Sequence, residues 1–476
     1  MTGAVESLLD DLAARGMRVH ALLVHRDGAP LLDLWQWPHE PALKHKLHSA
    51  TKSFTATAVG FAEADGLLGL EDPVVEFFRG RLREAPGENL SRLRVRDLLT
   101  MRTGHARGLS GATTRLRRTG WVDEFLEEPV VDRPGRGFRY SSTTSHVLSA
   151  IVQEVAGMPV DEYLRPRLFE PLGITDYTWE RDPEGVSSGG NGLSLRPRDL
   201  LSFGVLCLQD GVWEGERLLP EGWVQKASAL HVRRAVSGEW NGQELLPPGP
   251  DAVADSGYGY QFWVSEDGSY SASGLFGQEC MVFPGQGVVV VTGAMPDPSY
   301  HDLPGMLRAA FRRAFASDDV AVSGRRVERA REPEPLESRV DGPVLRRVFD
   351  FAENDQGVRS LSVEADTEIV RLGIEDDRGT HTVEHGLGKW VPQDTGVSVW
   401  RLHHSYQDDA APILAGARWP STDALDLTWH FLEGPFIDRL TLTFEGDGVV
   451  VEHRVNCNSG PTVLPPARGT ARAEVE

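Results

Sequence analysis

The distribution of apolar residues divides this chain into a mixed first part and a final part built from short strand-like runs. Up to about residue 315, strand-like runs at both ends enclose a middle stretch whose apolar residues recur at helical spacing. Near the N-terminus two such runs flank Arg26-Asp27-Gly28, a typical hairpin turn. This order predicts an α+β domain in which an antiparallel sheet, formed by the first and last strands, is flanked by helices and carries a helical subdomain.

The final part alternates short strand-like runs with turns, and no helical spacing interrupts it. Glu445-Gly446-Asp447-Gly448 is its clearest hairpin turn, and another strand-like run covers 396–400. Such a pattern predicts an antiparallel barrel or sandwich. The charged, proline-containing segment before it suits a linker. We therefore predict a first domain over 1–316, a linker over 317–338 and an all-β domain, a lipocalin-like barrel or a sandwich, over 339–476.

Charge and composition exclude several classes of function. The formal net charge of -21 argues against binding to nucleic acid or to an anionic membrane surface. No stretch approaches the roughly 20 apolar residues that span a bilayer, and the N-terminus lacks a signal-peptide pattern. The three cysteines are far apart and predict neither a disulfide framework nor a zinc site. We expect a cytoplasmic protein, and the oligomeric state stays open.

Ser49 and Lys52 form the first candidate for chemistry. They stand three residues apart at the start of a run of small and apolar residues, so a helix would place both on one face. A serine hydroxyl needs an adjacent base to become a nucleophile, and a lysine of lowered pKa can serve. Only five of the 49 basic residues are lysines, and arginine does not lose its proton in a protein. A surface lysine near a helix-capping serine is the alternative.

Two further segments carry groups of chemical interest. Tyr140 follows a Pro-Gly-Arg-Gly turn, where a phenol beside a lysine could relay a proton. The alternative is a core tyrosine with one hydrogen bond. The segment Ser273–Gln278 contains two glycines before a strand-like run, and a backbone N–H there could stabilise an oxyanion. Its alternative is a glycine-rich turn without a catalytic role.

Taken in order, Ser49-x-x-Lys52, Tyr140-x-Ser142 and Gly274-x-x-Gly277-Gln278 resemble the active-site blocks of serine β-lactamases and penicillin-binding proteins. The likeness is closest to the class C β-lactamase-related branch, which also contains esterases, D-amino-acid peptidases and amide hydrolases. It covers roughly residues 15–315, and the connecting segments that share it include Gly189-Gly190 and the motif 257–263, in which 258–263 is a strand-like run.

The resemblance implies an acyl-transfer mechanism. Ser49 would be the nucleophile, and neutral Lys52 and the Tyr140 phenolate would share its proton. The resemblance also implies that no metal or organic cofactor is needed, and that the partner is a small-molecule ester or amide.

The resemblance further assigns the groups that hold the substrate. Backbone N–H groups of Ser49 and Gln278 would form the oxyanion hole, and Ser142 and Gly277 would line the substrate site. Ser142 stands where many relatives have Asn, and Leu275 stands where relatives have Lys or His. The sequence therefore predicts a serine hydrolase acting through an acyl-Ser49 intermediate, without the usual group that recognises a substrate carboxylate. An acyltransferase using the same intermediate and a catalytically silent binding protein are the alternatives.

Overall fold

The chain divides into two compact units. The computed structural model describes residues 2–15, 17, 19–26, 28–108, 120–236, 239–240, 245–246, 256–293, 302–314, 326–330, 336–377, 379–395, 402, 411–458 and 460–473. The first unit holds the described residues within 1–35, 44–295 and 299–329, and the second holds 36–43 and the described residues from 330 onward. Residues 36–43, which the sequence assigned to the first domain, thus group with the second unit.

The first unit is built on an antiparallel sheet. The strands of this unit are β1 (Ala21–Arg26), β2 (Ala29–Gln36), β3 (His45–Lys46), β4 (Thr178–Trp179), β5 (Leu193–Leu195), β6 (Val212–Trp213), β7 (Glu216–Arg217), β8 (Val232–Ala235), β9 (Glu239–Trp240), β10 (Leu245–Leu246), β11 (Ser256–Tyr258), β12 (Trp263–Val264), β13 (Tyr270–Gly274), β14 (Gln278–Phe283), β15 (Val288–Thr292) and β16 (Arg326–Ala330). Among the described residues the large sheet has the order β16-β2-β1-β15-β14-β13-β12-β11-β8. Because β1 pairs antiparallel with β15, the first and last segments share one sheet, as predicted.

Two segments differ from the sequence prediction. β16 lies within 317–338, so part of the segment predicted as a linker is an edge strand beside β2. Residues 232–256 are rich in glycine, proline and polar types without a period, which predicts a long surface loop, yet they contain β8, which pairs with β11. Pairing with an existing sheet edge supplies backbone hydrogen bonds that neither sequence pattern reveals.

Helices cover both faces of this sheet. They are α1 (Thr2–Ala14), α2 (Thr51–Ala64), α3 (Val74–Phe77), α4 (Glu88–Arg92), α5 (Val95–Leu99), α6 (Trp121–Glu127), α7 (Ser142–Ala156), α8 (Val160–Leu164), α9 (Pro197–Leu208), α10 (Trp223–Ser228) and α11 (Leu303–Ala314), with 3-10 turns at His48–Ala50, Arg79–Arg81 and Pro284–Gln286 and a π-helical turn at Arg165–Phe169. α1 and α11 pack on one face through an apolar cluster that includes Leu12, Leu307 and Val290. α2 and α9 pack on the other face.

Helix α2 is the central helix of the first unit. Its residues are buried from Thr51 to Ala62, and the ring of Phe54 stacks on Phe203 with centroids 4.1 Å apart. Small residues permit this depth: a Cβ on Gly60 would lie 2.4 Å from the indole of Trp223. The side chains at its first turn therefore lie in an interior from which water is largely excluded.

The second unit is a closed β-barrel. Its strands are β17 (Leu345–Phe351), β18 (Ser360–Ala365), β19 (Ile369–Asp376), β20 (Gly379–Leu387), β21 (Val391–Thr395), β22 (Ala411–Ser421), β23 (Ala424–Phe431), β24 (Ile437–Glu445), β25 (Gly448–Val455) and β26 (Ala467–Ala471). They follow the order β20-β19-β18-β17-β26-β25-β24-β23-β22-β21, and a parallel pairing of β20 with β22 closes the ring. Every second residue of β23 is buried, including Trp429.

The fold class predicted from the sequence, a mixed domain followed by an all-β domain, is confirmed, and the second is a barrel. The predicted hairpin at 445–448 joins β24 and β25. The strand predicted at 396–400 lies outside the described residues. In the part of the chain that the structure describes, no helix has the length and apolar character required to cross a membrane.

Candidate active site

Ser49 lies in a tight turn that two strands hold in place. The 3-10 turn His48–Ala50 leads directly into α2. The N–H of Leu47 donates to the carbonyl of Leu193 in β5 over 2.8 Å. A Cβ on Gly274, at the end of β13, would lie 2.1 Å from the carbonyl oxygen of Leu47, so only glycine fits there. The turn before the hydroxyl is therefore fixed by backbone contacts on both sides.

The backbone of His48 adopts an unusual conformation next to Ser49. Its φ is 47°, in the left-handed region that non-glycine residues seldom occupy. The His48 side chain is buried, with its ring edge-on to Phe276 at 5.5 Å between centroids. Such locally unfavourable backbone is common at functional sites and persists only where the surroundings fix it.

The amine of Lys52 is buried among three oxygen atoms. The side chain is 1% exposed. Its Nζ lies 3.1 Å from Oγ of Ser49, 3.1 Å from Oγ of Ser142 and 2.6 Å from the carbonyl oxygen of Gly190. Burial disfavours the charged ammonium and lowers the pKa of Lys52 from its ordinary value of 10.5 to about 7. A large fraction of this amine is therefore neutral near pH 7.

The three neighbours match what a neutral amine can bind. A neutral amine has two N–H donors and one lone pair. The carbonyl of Gly190 can only accept, and the hydroxyl of Ser142 can accept the second N–H. The lone pair then remains to accept the hydroxyl proton of Ser49. The arrangement therefore suits transfer of that proton to Nζ.

Ser142 and Gly190 come together because a glycine-rich loop lies on the start of α7. Ser142 is the first residue of this helix, and the preceding Ser141 caps it by accepting from the N–H of Thr144 over 3.4 Å. A Cβ on Gly190 would lie 2.6 Å from the carbonyl oxygen of Ser142. Glycine thus permits the close approach that brings its own carbonyl to Lys52. The sequence prediction did not assign Gly190, although Gly189-Gly190 was part of the family likeness.

Tyr140 lies next to the Lys52 amine. Nζ is 5.0 Å from the centroid of the Tyr140 ring, within the range of a cation–π contact when the amine is charged. The ring is half-buried and stacks on Trp263, with centroids 5.6 Å apart and planes at 22°. The N–H of Arg139 donates to the carbonyl of Met101 over 2.8 Å, which fixes the segment that carries the phenol. The structure therefore brings Tyr140 to the same place as Ser49, Lys52 and Ser142.

The turn between β13 and β14 lies beside the Ser49 turn. Gly274 pairs with Gln278 across this turn, and Gly277 has φ 79°, which favours glycine. Oγ1 of Thr292 donates to the carbonyl of Gly277 over 2.6 Å. The ring of Phe276 lies edge-on to His48, and Gly274 closely approaches Leu47. The predicted oxyanion segment therefore lies next to the predicted nucleophile. The role of Gln278 N–H as a donor stays a prediction.

Gln261 joins three elements of the site and was not predicted. It has φ 62° and is buried. Its Nε2 donates to the carbonyls of Leu98 and Leu99, and its Oε1 accepts from Oγ of Ser145 on α7 over 2.6 Å. Its carbonyl accepts from Oγ of Ser53 on α2 over 2.8 Å. Gln261 thereby links the helix that carries Lys52 to the helix that carries Ser142. In the sequence, the only signal for Gln261 was its place in the motif 257–263.

A buried carboxyl group follows the oxyanion segment. Glu279 is 2% exposed, and its Oε2 accepts from Oγ of Ser273 over 2.7 Å. Burial raises the pKa of Glu279 from 4.5 to about 8, against a smaller lowering by the serine hydroxyl. The group therefore holds its proton at neutral pH.

Comparisons with known proteins match the first part of this chain. A family model described as Beta-lactamase matches residues 5–304. The 6-aminohexanoate-dimer hydrolase of Paenarthrobacter ureafaciens is 28% identical over 58% of this chain and 73% of its own length. Esterase/beta-lactamase LipL of Mycobacterium tuberculosis is 29% identical over 39% of this chain, which spans less than half, 44%, of that relative.

A solved structure shares the fold of the first unit. EstCE1, described as a hydrolase with promiscuous acyltransferase activity, superposes with a TM-score of 0.50 at 18% identity. The match covers 65% of this chain and 97% of that one. At this identity the likeness shows the fold alone.

Proposed function

This chain belongs to the β-lactamase family, a family of serine hydrolases, and we propose that it cleaves a small-molecule ester or amide through an acyl intermediate on Ser49. One observation carries the proposal: a fully buried lysine amine of pKa about 7 lies 3.1 Å from the Ser49 hydroxyl. A lysine placed only for structure has no need of a hydroxyl neighbour at the start of a helix, whereas a nucleophilic serine requires a base within hydrogen-bond reach.

Acylation would begin with proton transfer. The Ser49 hydroxyl gives its proton to neutral Nζ of Lys52 while Oγ forms a bond to the substrate carbonyl carbon. The negative charge that develops on the carbonyl oxygen is stabilised by the N–H groups of Ser49 and Gln278, and one such donor contributes about 10²–10³ in rate. Collapse of the tetrahedral species breaks the bond to the alcohol or amine, which takes up the proton from Lys52, with Tyr140 as the relay.

Deacylation repeats these steps with water. Water adds to the acyl carbon and its proton passes to neutral Nζ of Lys52. The bond to Oγ then breaks, Ser49 recovers its proton, and the carboxylic acid leaves. The same general base thus serves both halves of the cycle, as general acid–base catalysis by one positioned group requires.

The groups around the site favour a substrate without a carboxylate near the scissile bond. Leu275, half-buried in the β13–β14 turn, offers no charge. The ring of Trp263 that stacks on Tyr140 also contacts Phe138, with centroids 6.2 Å apart. An apolar acyl group next to this aromatic surface would gain the usual free energy of burying apolar area.

The test is labelling with a fluorophosphonate probe together with turnover of p-nitrophenyl esters of increasing chain length. We expect the wild type to be labelled and to release p-nitrophenol. Ser49→Ala should abolish both, and Lys52→Met should lower turnover by about 10²–10⁴ because the general base is lost. Ser91→Ala, at an exposed serine on α4, is the matched control and should behave as the wild type.

Two outcomes would change the proposal. If the wild type is not labelled, or if Ser49→Ala is labelled as strongly, the Ser49 hydrolase is refuted. If esters are consumed only when an alcohol or amine acceptor is added, and the acyl group appears on that acceptor, the enzyme is an acyltransferase instead.

A further inference from the structure

A cavity of about 610 Å³ in the first unit gathers a group of arginine side chains. None of the residues that hold Ser49 and Lys52 lines this cavity. Its wall carries two carboxyl groups, Glu71 and Asp97. The arginines on the wall are Arg92, Arg94, Arg96, Arg102 and Arg133.

The two carboxyl groups are already engaged within the wall. The guanidinium groups of Arg94 and Arg96 both bind Glu71, through its backbone carbonyl and its carboxylate. Asp97 is buried, and its Oδ2 accepts from the backbone N–H of Arg94 over 3.0 Å. Each carboxyl group thus already interacts with arginines of the wall: Glu71 binds Arg94 and Arg96, and the charges of Arg96 and Arg102 act on Asp97.

Arg102 and Arg133 differ from the other arginines of the wall. Among the described residues, neither has a carboxylate in an ion pair; Nε of Arg102 donates to Oγ1 of Thr100 over 3.2 Å. The two lie on adjacent segments, because the N–H of Gly135 donates to the carbonyl of Arg102 over 2.8 Å. The wall of the cavity thus carries five guanidinium groups against two carboxyl groups, which leaves a surplus of positive charge.

A cleft lined mainly by charges of one sign focuses the electric field and raises the local concentration of a ligand of opposite charge. The chain as a whole carries a net charge of -21, so solubility does not call for this surplus of cations. All five cations are arginines, whose planar guanidinium groups bind carboxylates and phosphates through two parallel hydrogen bonds. We propose that the cavity bounded by Arg102 and Arg133 binds a small multivalent oxyanion that carries phosphoryl or carboxylate groups.

The aromatic part of the wall fits the same ligand. The imidazole of His231 stacks on the ring of Tyr260, with centroids 4.2 Å apart and planes at 5°. Burial raises the pKa of Tyr260, with smaller effects from nearby charged groups including Arg96 and Arg102, so its phenol stays protonated. A protonated phenol adds an O–H donor beside the guanidinium groups.

The test is isothermal titration calorimetry on the full chain with inorganic pyrophosphate and with citrate as separate probes, at constant ionic strength. We expect saturable one-site binding of at least one probe, and the tighter probe identifies phosphoryl or carboxylate as the preferred chemistry. Arg102→Ala/Arg133→Ala should weaken that binding at least about tenfold, because two charge-assisted hydrogen-bonding groups are lost. Arg83→Ala/Arg346→Ala removes the same charge from two exposed ion pairs outside the cavity and should bind as the wild type.

The outcomes separate this proposal from general ionic attraction and from misfolding. Absence of binding to the wild type by both probes would overturn it, as would equal weakening in the two double variants. Cooperative unfolding of the double variant in urea shows that it is folded. If the double variant is misfolded, the single variant Arg133→Ala, which changes an exposed side chain, replaces it in the binding measurement. Because the measurement is a heat of binding, its result does not depend on whether Ser49 is a nucleophile.

Discussion

The carbonyl oxygen of Gly190 lies 2.6 Å from Nζ of Lys52, closer than either hydroxyl that contacts the same amine. This carbonyl takes one N–H of the amine in either protonation state and so fixes the orientation of Nζ. The remaining hydrogens and the lone pair are then directed to Ser49 and Ser142. Orientation of the base is set by the main chain and its pKa by burial.

The pH dependence of activity should report the Lys52 amine. Burial places the pKa of Lys52 at about 7, and only the neutral form accepts the Ser49 proton. We expect kcat/KM for a p-nitrophenyl ester to rise about tenfold per pH unit below pH 7 and to level above it. Initial rates between pH 5 and 9, corrected for the Ser49→Ala background, give the profile. A flat profile across pH 6–8 would refute Lys52 as the base.

Ser142→Ala should weaken catalysis while keeping the fold. It removes one of the two acceptors of the Lys52 amine and leaves a buried N–H without a partner, a loss of about 1–3 kcal/mol or roughly 5- to 150-fold in kcat/KM. Ser141→Ala is the matched control, since it removes the cap of α7 but no contact of Lys52. That variant should lose about 0.5–2 kcal/mol of unfolding free energy and keep its kcat/KM. Equal kcat/KM in the two variants would contradict a role of Ser142 at the amine.

Gly190→Ala should displace the other acceptor of the Lys52 amine, the carbonyl of residue 190. The new Cβ would lie 2.6 Å from the carbonyl oxygen of Ser142, so the loop must move away from α7. We expect an overpacking loss of about 1–3 kcal/mol in unfolding free energy, together with reduced kcat/KM. Gly80→Ala meets no atom within 4 Å and should change neither quantity appreciably. Urea unfolding and ester turnover on both variants provide the comparison, and unchanged turnover in Gly190→Ala would contradict the proposed contact.

Glu279→Gln should remove the decrease in unfolding free energy that ionisation of Glu279 causes as pH rises. Burial raises the pKa of Glu279 from 4.5 to about 8, so the folded state keeps a proton that the unfolded state releases in this window. Wild-type unfolding free energy therefore decreases as pH rises from 4.5 to 8, by at most about 5 kcal/mol from this group. The variant side chain cannot ionise, so the unfolding free energy of the variant should increase relative to that of the wild type across that pH range.

Urea unfolding at pH 5, 6.5 and 8 measures that gain. Glu266→Gln, at an exposed side chain between β12 and β13, controls for the loss of a carboxyl group as such. A difference between Glu279→Gln and wild type that is the same at all three pH values would show that Glu279 does not keep its proton.

Local spacing predicted part of this site. Ser49 and Lys52 are three residues apart at the start of a helix, and their polar atoms lie 3.1 Å apart in the structure. Helix geometry is local, so this contact follows from the sequence alone. The depth of burial that lowers the pKa of Lys52 cannot be predicted in the same way, because it depends on Gly60 and on the packing of α2 against other elements.

Contacts in the site between residues distant in sequence could not be predicted from local spacing. Gly190 is 138 residues from Lys52 and contributes a main-chain atom, which no side-chain pattern can reveal. Gln261 acts through a left-handed backbone and contacts to three elements, whereas its sequence context indicated only a strand. The mixed domain and the all-β domain were predictable because periodicity is local, whereas the choice of a barrel over a sandwich was not. The strand β16 was not predictable either, because an edge strand depends on its neighbour.

The Gly190 carbonyl has an evolutionary consequence. Every amino acid possesses a main-chain carbonyl, so no point mutation can delete this acceptor, whereas mutations can delete the hydroxyls of Ser49 and Ser142. Substitution at position 190 can only displace the acceptor, and it does so through steric contact with α7. Selection on this contact therefore acts on side-chain size at position 190, and an inactive relative could retain Gly190 long after losing its nucleophile.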